Sequence, residues 1–113
     1  DDHYKHLEYI ASFPCHNPQP RMIPVHQLFS QDKLHGKAYY PDGTVLYRCD
    51  STSGCCTGEK QCHPVHTDSV RLPFKITFLK DIEQHKVGSW AMEYHTLDNH
   101  TECACNNGID IRR

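Results

Sequence analysis

Seven cysteines and ten histidines are the residues of this 113-residue chain best able to do chemistry. Sulfur can pair with sulfur, ligate a metal or attack as a nucleophile, and spacing separates these uses. Structural zinc sites recur as C-x2-C pairs that turn two thiolates onto one tetrahedral ion. No such pair occurs: Cys55-Cys56 and Cys103-Ala104-Cys105 are too tight. In a strand, residues i and i+2 share a face while adjacent residues diverge, so these pairs suit bridges sent along set directions. Cys62-His63-Pro64-Val65-His66 has near-ligand spacing, but a Cys62 held in a disulfide offers no thiolate. The histidines therefore read as scattered surface residues, and no metal is expected. Cys/His catalysis needs a thiolate beside a base, the acidic residues are scattered singly, and no glycine-rich phosphate loop is present. No enzyme, catalytic residue or cofactor is expected.

Disulfides remain. A single domain over 1–113, at 37% hydrophobic residues, is short of material for an ordinary core, and so many cysteines in a short chain point to an oxidising, extracellular setting. Formal charge is -2, which gives no sign of a nucleic-acid partner, and no apolar run has membrane length. The chain reads as a mature secreted fragment without its signal peptide, and a basic tail after Arg112-Arg113 is left open. Asn99-His100-Thr101 is an N-glycosylation acceptor, used only along the secretory route.

Bridges need elements to carry them. HYKHLEYIASF (3–13) places Tyr4, Leu7, Ile10 and Ala11 at helical spacing, with Asp1 and Asp2 at the favourable end and Pro14 as a stop. Such a helix is too short to stand alone, so its apolar stripe must dock on its own domain or on a second chain. Prolines 14, 18, 20 and 24 favour extended chain. MIPVHQLF (22–29) reads as a strand, 30–36 as a loop, and KAYYPDGTVLYRC as a return strand interrupted at Pro41-Asp42-Gly43. Val70, Leu72, Phe74, Ile76 and Phe78 then alternate with Arg71, Pro73, Lys75, Thr77 and Leu79, while Trp90, Met92 and Tyr94 alternate with Ala91, Glu93 and His95. These are two half-buried antiparallel strands, the first an edge strand because Pro73 falls on its outward parity. The polar tip between them, 80–89, is expected to expose Ile82 and Val87. One cysteine must stay unpaired, and spacing alone leaves the connectivity open.

P-C-H-N-P near the start, then Y-R-C, G-C-C, a further cysteine at Cys62 and a terminal C-x-C together resemble the platelet-derived and vascular endothelial growth factor family of cystine-knot proteins. The likeness runs from Cys15 to Cys105, and the helix before Cys15 resembles the vascular endothelial branch. It implies a small all-β, disulfide-rich cystine knot with two long twisted antiparallel hairpins and an N-terminal helix over 1–13. Its ring is closed by Cys49–Cys103 and Cys56–Cys105, with Cys15–Cys62 threaded through. Gly54 would leave space for the threading disulfide. Two departures stand out. The ring segment is longer than the family's C-x-G-x-C, so Asp50, Ser51, Thr52 and Ser53 are expected to bulge outward and give slack. The family's cysteine that reaches the partner chain is replaced by Gly43, which leaves Cys55 unpaired. In a twofold dimer Cys55 either bonds its own copy or bonds nothing in the partner; the symmetric bond is favoured over a free or capped thiol.

The resemblance further implies a secreted, homodimeric ligand that pairs two immunoglobulin-domain receptor tyrosine kinases and does not insert into membrane. Tyr4, Leu7, Phe29, Leu34, Ile82 and Val87 are the receptor-contact candidates, as apolar residues flanked by polar ones; for Tyr4, Leu7 and Phe29 the competing role is packing the dimer. A different reading is a secreted antagonist, or a host-directed binding protein, of the same fold. Protonation of the ten histidines would reverse the sign of the net charge, so weaker association is expected at endosomal pH.

Overall fold

The computed structural model describes residues 1–107; Arg112 and Arg113 lie outside the described residues. Helix α1 spans Asp2–Ala11. Asp1 caps it by accepting from the Tyr4 N–H at 3.0 Å, and Ser12 closes it by donating to the Glu8 carbonyl at 3.2 Å. The stop thus comes ahead of Pro14, whose ring disfavours helical backbone in the residue before it. None of its residues is buried, and Tyr4, Leu7 and Ile10 form an exposed stripe.

Strand β1 (Gln19–Pro24) is followed by two single helical turns, α2 (Val25–Leu28) and α3 (Gln31–Leu34). Next come β2 (Lys37–Tyr40), β3 (Gly43–Arg48), β4 (Gln61–Phe78) and β5 (Trp90–Asn106). β1 and β3 form a two-stranded sheet; β2, β4 and β5 form a three-stranded sheet in that order. The expected strand over 22–29 therefore stops at Pro24. Val25, Leu28 and Phe29 lie at i, i+3 and i+4, so one helical turn puts all three apolar side chains on one side, which an extended chain cannot do. The 30–36 loop holds α3, capped by Ser30 accepting from the Lys33 N–H at 3.4 Å. The return strand is split at Pro41-Asp42 between two sheets: β2 pairs antiparallel with β4, from Lys37 opposite Phe78 to Tyr40 opposite Lys75.

β4 is thus the central strand of its sheet, contrary to the edge position expected from Pro73. The proline is tolerated because pairing with β2 ends at Lys75, before Pro73 is reached.

By contacts the chain divides into two compact units. One comprises, among the described residues, 1–21, 46–68 and 98–107. Its core is sulfur: Cys15, Cys49, Cys62 and Cys103 are buried, with Cys56 and Cys105 packed against them. The other comprises 22–45 and 69–97. Its core is Tyr39, Phe74, Ile76 and Phe78, with Val25, Phe29, Leu34, Leu72, Ile82, Ala91 and Leu97 packed around them. The alternation on β4 points Leu72, Phe74, Ile76 and Phe78 inward, as its parity predicts. On β5 the apolar parity points the other way. Trp90, Met92 and Tyr94 are exposed, while Ala91, His95 and Leu97 face inward. The inner face has little room for three more large side chains, because Phe29, Tyr39 and Phe74 already surround the His95 ring. The outward rings are covered instead by cations, Arg71 over Tyr94 at 4.3 Å and Lys75 over Trp90 at 4.8 Å.

Candidate functional site: the knot, its free thiol and the exposed faces

Three disulfides join Cys15 to Cys62, Cys49 to Cys103 and Cys56 to Cys105, each with a Cα separation of 5.6 Å. This is the pairing that the resemblance implies. The segment around Cys15 is tied to both strands of the ring: the Phe13 carbonyl accepts from Cys55 N–H at 2.8 Å and the His16 carbonyl accepts from Cys103 N–H at 3.0 Å. Gly54 makes that approach possible, for a reason that differs from the one expected. A side chain there would meet backbone rather than the threading disulfide, since a Cβ would lie 2.5 Å from the Cys15 nitrogen. The sulfurs of Cys15, Cys56 and Cys105 converge within 4.8 Å of one another, but each is in a disulfide and none can act as a thiolate ligand.

The segment Asp50 to Ser53 is braced, not slack. The Asp50 carboxylate accepts from the Thr52 N–H at 2.9 Å, the Thr52 hydroxyl at 2.7 Å and the Ser53 hydroxyl at 3.1 Å. Arg21 on β1 grips it from the other side with two guanidinium nitrogens, at 3.1 and 3.3 Å. Hydrogen bonding to Arg21, reinforced by Thr52 and Ser53 against the opposing effect of burial, holds this carboxyl well below the usual range. Ser53 is itself buried; its oxygen accepts from the Asp50 N–H at 3.0 Å, and its single proton is shared between the Asp50 carboxylate and the Arg48 carbonyl, each 3.1 Å away. The local signal was present in sequence, because an Asp followed by Thr and Ser two and three positions on favours a side-chain-closed turn.

Cys55 is the free cysteine, half-buried, with its thiol 3.3 Å from the Ile10 carbonyl. It lines an open concavity with Ser51, Gly54, Lys60 and Gln61. At Gly43, where the resemblance places the missing cysteine, a Cβ would lie 2.9 Å from the Ile23 carbonyl oxygen. The close approach of β1 leaves room for hydrogen only.

The receptor-contact candidates divide by exposure. Tyr4, Leu7 and Val87 stand in solvent, Tyr4 at 65% and Val87 at 62%. Phe29, Leu34 and Ile82 are half-buried against the aromatic core, so Ile82 is not the exposed tip residue expected. It folds inward because its side chain closes on Gly36, where positive φ and the missing Cβ leave space. The sequence reading missed Leu79, Trp90, Met92 and Tyr94, all exposed. The clue available was the placement of Arg71 and Lys75 on the outward parity of β4, matching an outward aromatic parity on β5. Asn99 is half-buried and its side-chain oxygen accepts from the Tyr47 N–H at 2.9 Å. His66, from the near-ligand run, faces Glu102 at 3.1 Å. Among the described residues no helix is long and apolar enough to cross a membrane.

The PDGF/VEGF domain family matches residues 15–105. No curated protein sequence matches the chain significantly. Among solved structures, the chain is similar to the crystal structure of the orf virus NZ2 variant of VEGF-E. The TM-score is 0.63 at 23% identity, covering 88% of this chain and 93% of that one, which is a likeness of fold. With the family matched across both arms of the knot, the chain belongs to the PDGF/VEGF domain family, whose members are growth-factor ligands and not enzymes.

Proposed function

We propose that the protein is a secreted growth factor of the vascular endothelial type, acting as a homodimer that holds two immunoglobulin-domain receptor tyrosine kinases at a fixed separation. The observation that carries this reading is the unburied apolar stripe of α1, Tyr4, Leu7 and Ile10, on a helix too short to be stable in isolation. A second copy supplies the missing partner. Tyr4, Leu7, Phe29, Leu34, Ile82 and Val87 contribute the receptor contacts, joined by the exposed Trp90, Met92 and Tyr94. Glycosylation at Asn99 is compatible with the structural role of its side chain, because the glycan is carried on nitrogen and the oxygen remains an acceptor.

The two copies are tied by a symmetric Cys55–Cys55 bond. Wild-type protein is expected to run as a dimer on non-reducing gels and as a monomer on reducing gels; a Cys55→Ser protein that still runs as a non-reducing dimer overturns the bond. The ligand reading is tested on cells bearing candidate receptors, where binding should be accompanied by receptor phosphorylation. Binding without phosphorylation favours an antagonist of the same fold, a reading supported by Gly43 standing where the family's interchain cysteine is expected.

A further inference from the structure

The end of β3 is held by an unusual kind of ladder. Tyr47 N–H donates to the Asn99 side-chain oxygen at 2.9 Å, and Cys49 N–H donates to His100 Nδ1 at 2.8 Å. Between them the Arg48 guanidinium donates to the Asp98 carbonyl. Three consecutive residues of β5 thus hold the last two residues of β3 and the first of the ring, two of them through side chains acting in place of backbone carbonyls. The most consequential is His100, because Cys49 is bridged to Cys103.

A ring nitrogen accepts a hydrogen bond only while it carries no proton, which puts the proton of neutral His100 on Nε2. The imidazolium form has donors at both nitrogens and would present N–H to N–H. We propose that His100 is an acid-sensitive latch on the knot, closed on Cys49 when neutral and released when protonated. The inference stands on this geometry and does not rest on the receptor reading.

The charged groups that act on the ring are Arg48, Asp98 and Asp50. Burial first, then Arg48, holds the His100 pKa below the ordinary imidazole value, while the two carboxylates pull the other way. With the folded value lowered, the latch contributes fully above the unfolded histidine pKa of about 6.5 and is lost as pH falls through the folded value. It therefore stays closed through neutrality and opens as pH falls below the ordinary histidine range, loosening the Cys49 side of the ring.

The test is amide hydrogen exchange at Cys49 from pH 7.5 down through the His100 titration, followed in parallel by ring-nitrogen NMR and corrected for intrinsic rates. Protection of the Cys49 amide should fall about tenfold with the His100 titration, the size of one lost hydrogen bond. In His100→Gln, which leaves the Asn99 acceptor sequence intact and can accept at every pH, that pH dependence should disappear. Protection that is unchanged across the range, or that falls equally in His100→Gln, overturns the latch. If the variant does not fold, the wild-type titration decides by itself: a proton on Nδ1 at pH 7.5 overturns it.

Discussion

The hydrogen of Gly54 is all that separates one ring strand from the backbone of Pro14 and Cys15. A methyl group placed there meets main-chain atoms on a segment held by hydrogen bonds to both Cys55 and Cys103, so no flexible side chain can give way. Gly54→Ala is expected to prevent recovery of the native disulfides on oxidative refolding, read by peptide mapping without reduction; native pairing at wild-type yield would show that the segment yields. Asp50 acts through charge instead. Because its pKa is depressed in the folded state, its contribution is present above the unfolded carboxyl value of about 3.9 and is lost as pH falls toward the folded value. Its side chain is 40% exposed, so water screens the pair with Arg21, and Asp50→Asn should cost about 1 kcal/mol at pH 7. The cost should shrink steadily below pH ~4; chemical denaturation at several pH values checks this, and a pH-independent difference would refute the charge argument. The cysteine pattern could be read without a structure. The brace could not be read with certainty, because a polar run closes on itself or stays open according to whether something like Arg21 arrives from far along the chain.

Among the elements, β4 was the most legible, since a period of two over 70–78 admits one buried face and Phe74, Ile76 and Phe78 occupy it. Phe74 is 1% exposed and touches the rings of Phe29, Tyr39 and His95. Phe74→Ala should destabilise by about 3–5 kcal/mol through lost burial and a residual cavity, as measured by equilibrium denaturation; a loss under ~1 kcal/mol would mean that the site collapses around the smaller side chain. Besides the edge position expected of β4 and the turn of helix inside the 30–36 loop, the segment at 25–29 and strand β5 were misread for specific reasons. Val25 and Phe29 share a side under both the strand and helix periods, and only Leu28 distinguishes the two. On β5 the apolar parity was plain, but hydrophobicity alone cannot tell an inward face from an outward one whose rings lie under cations. The N-terminal helix was legible from its stripe and its acidic first residues, with its end placed two residues late, and the stripe left unburied is the argument for a second chain.

For the molecule as a whole, covalent closure substitutes for hydrocarbon. The three bridges span sequence separations of 47, 54 and 49 residues, and loop-closure entropy assigns each about 4 kcal/mol taken singly. The knot unit therefore needs little apolar core beyond its own sulfur, while the unit built on 22–45 and 69–97 relies on a compact aromatic cluster. The sequence by itself determined the cysteine order that carries the family, the inward face of β4 and the apolar stripe of α1, while the odd place of Cys55 came from the family resemblance and the exposure of the stripe from the structure. The first three follow from spacing along the chain, where neighbours are dictated by covalent geometry. The tertiary structure alone decided which way β5 turns its aromatic side chains, that Gly54 makes room for backbone, that Arg21 clamps Asp50 and that His100 caps Cys49. The last three join residues about 30 to 50 positions apart, and all of them follow from register and approach in three dimensions, which no local pattern encodes.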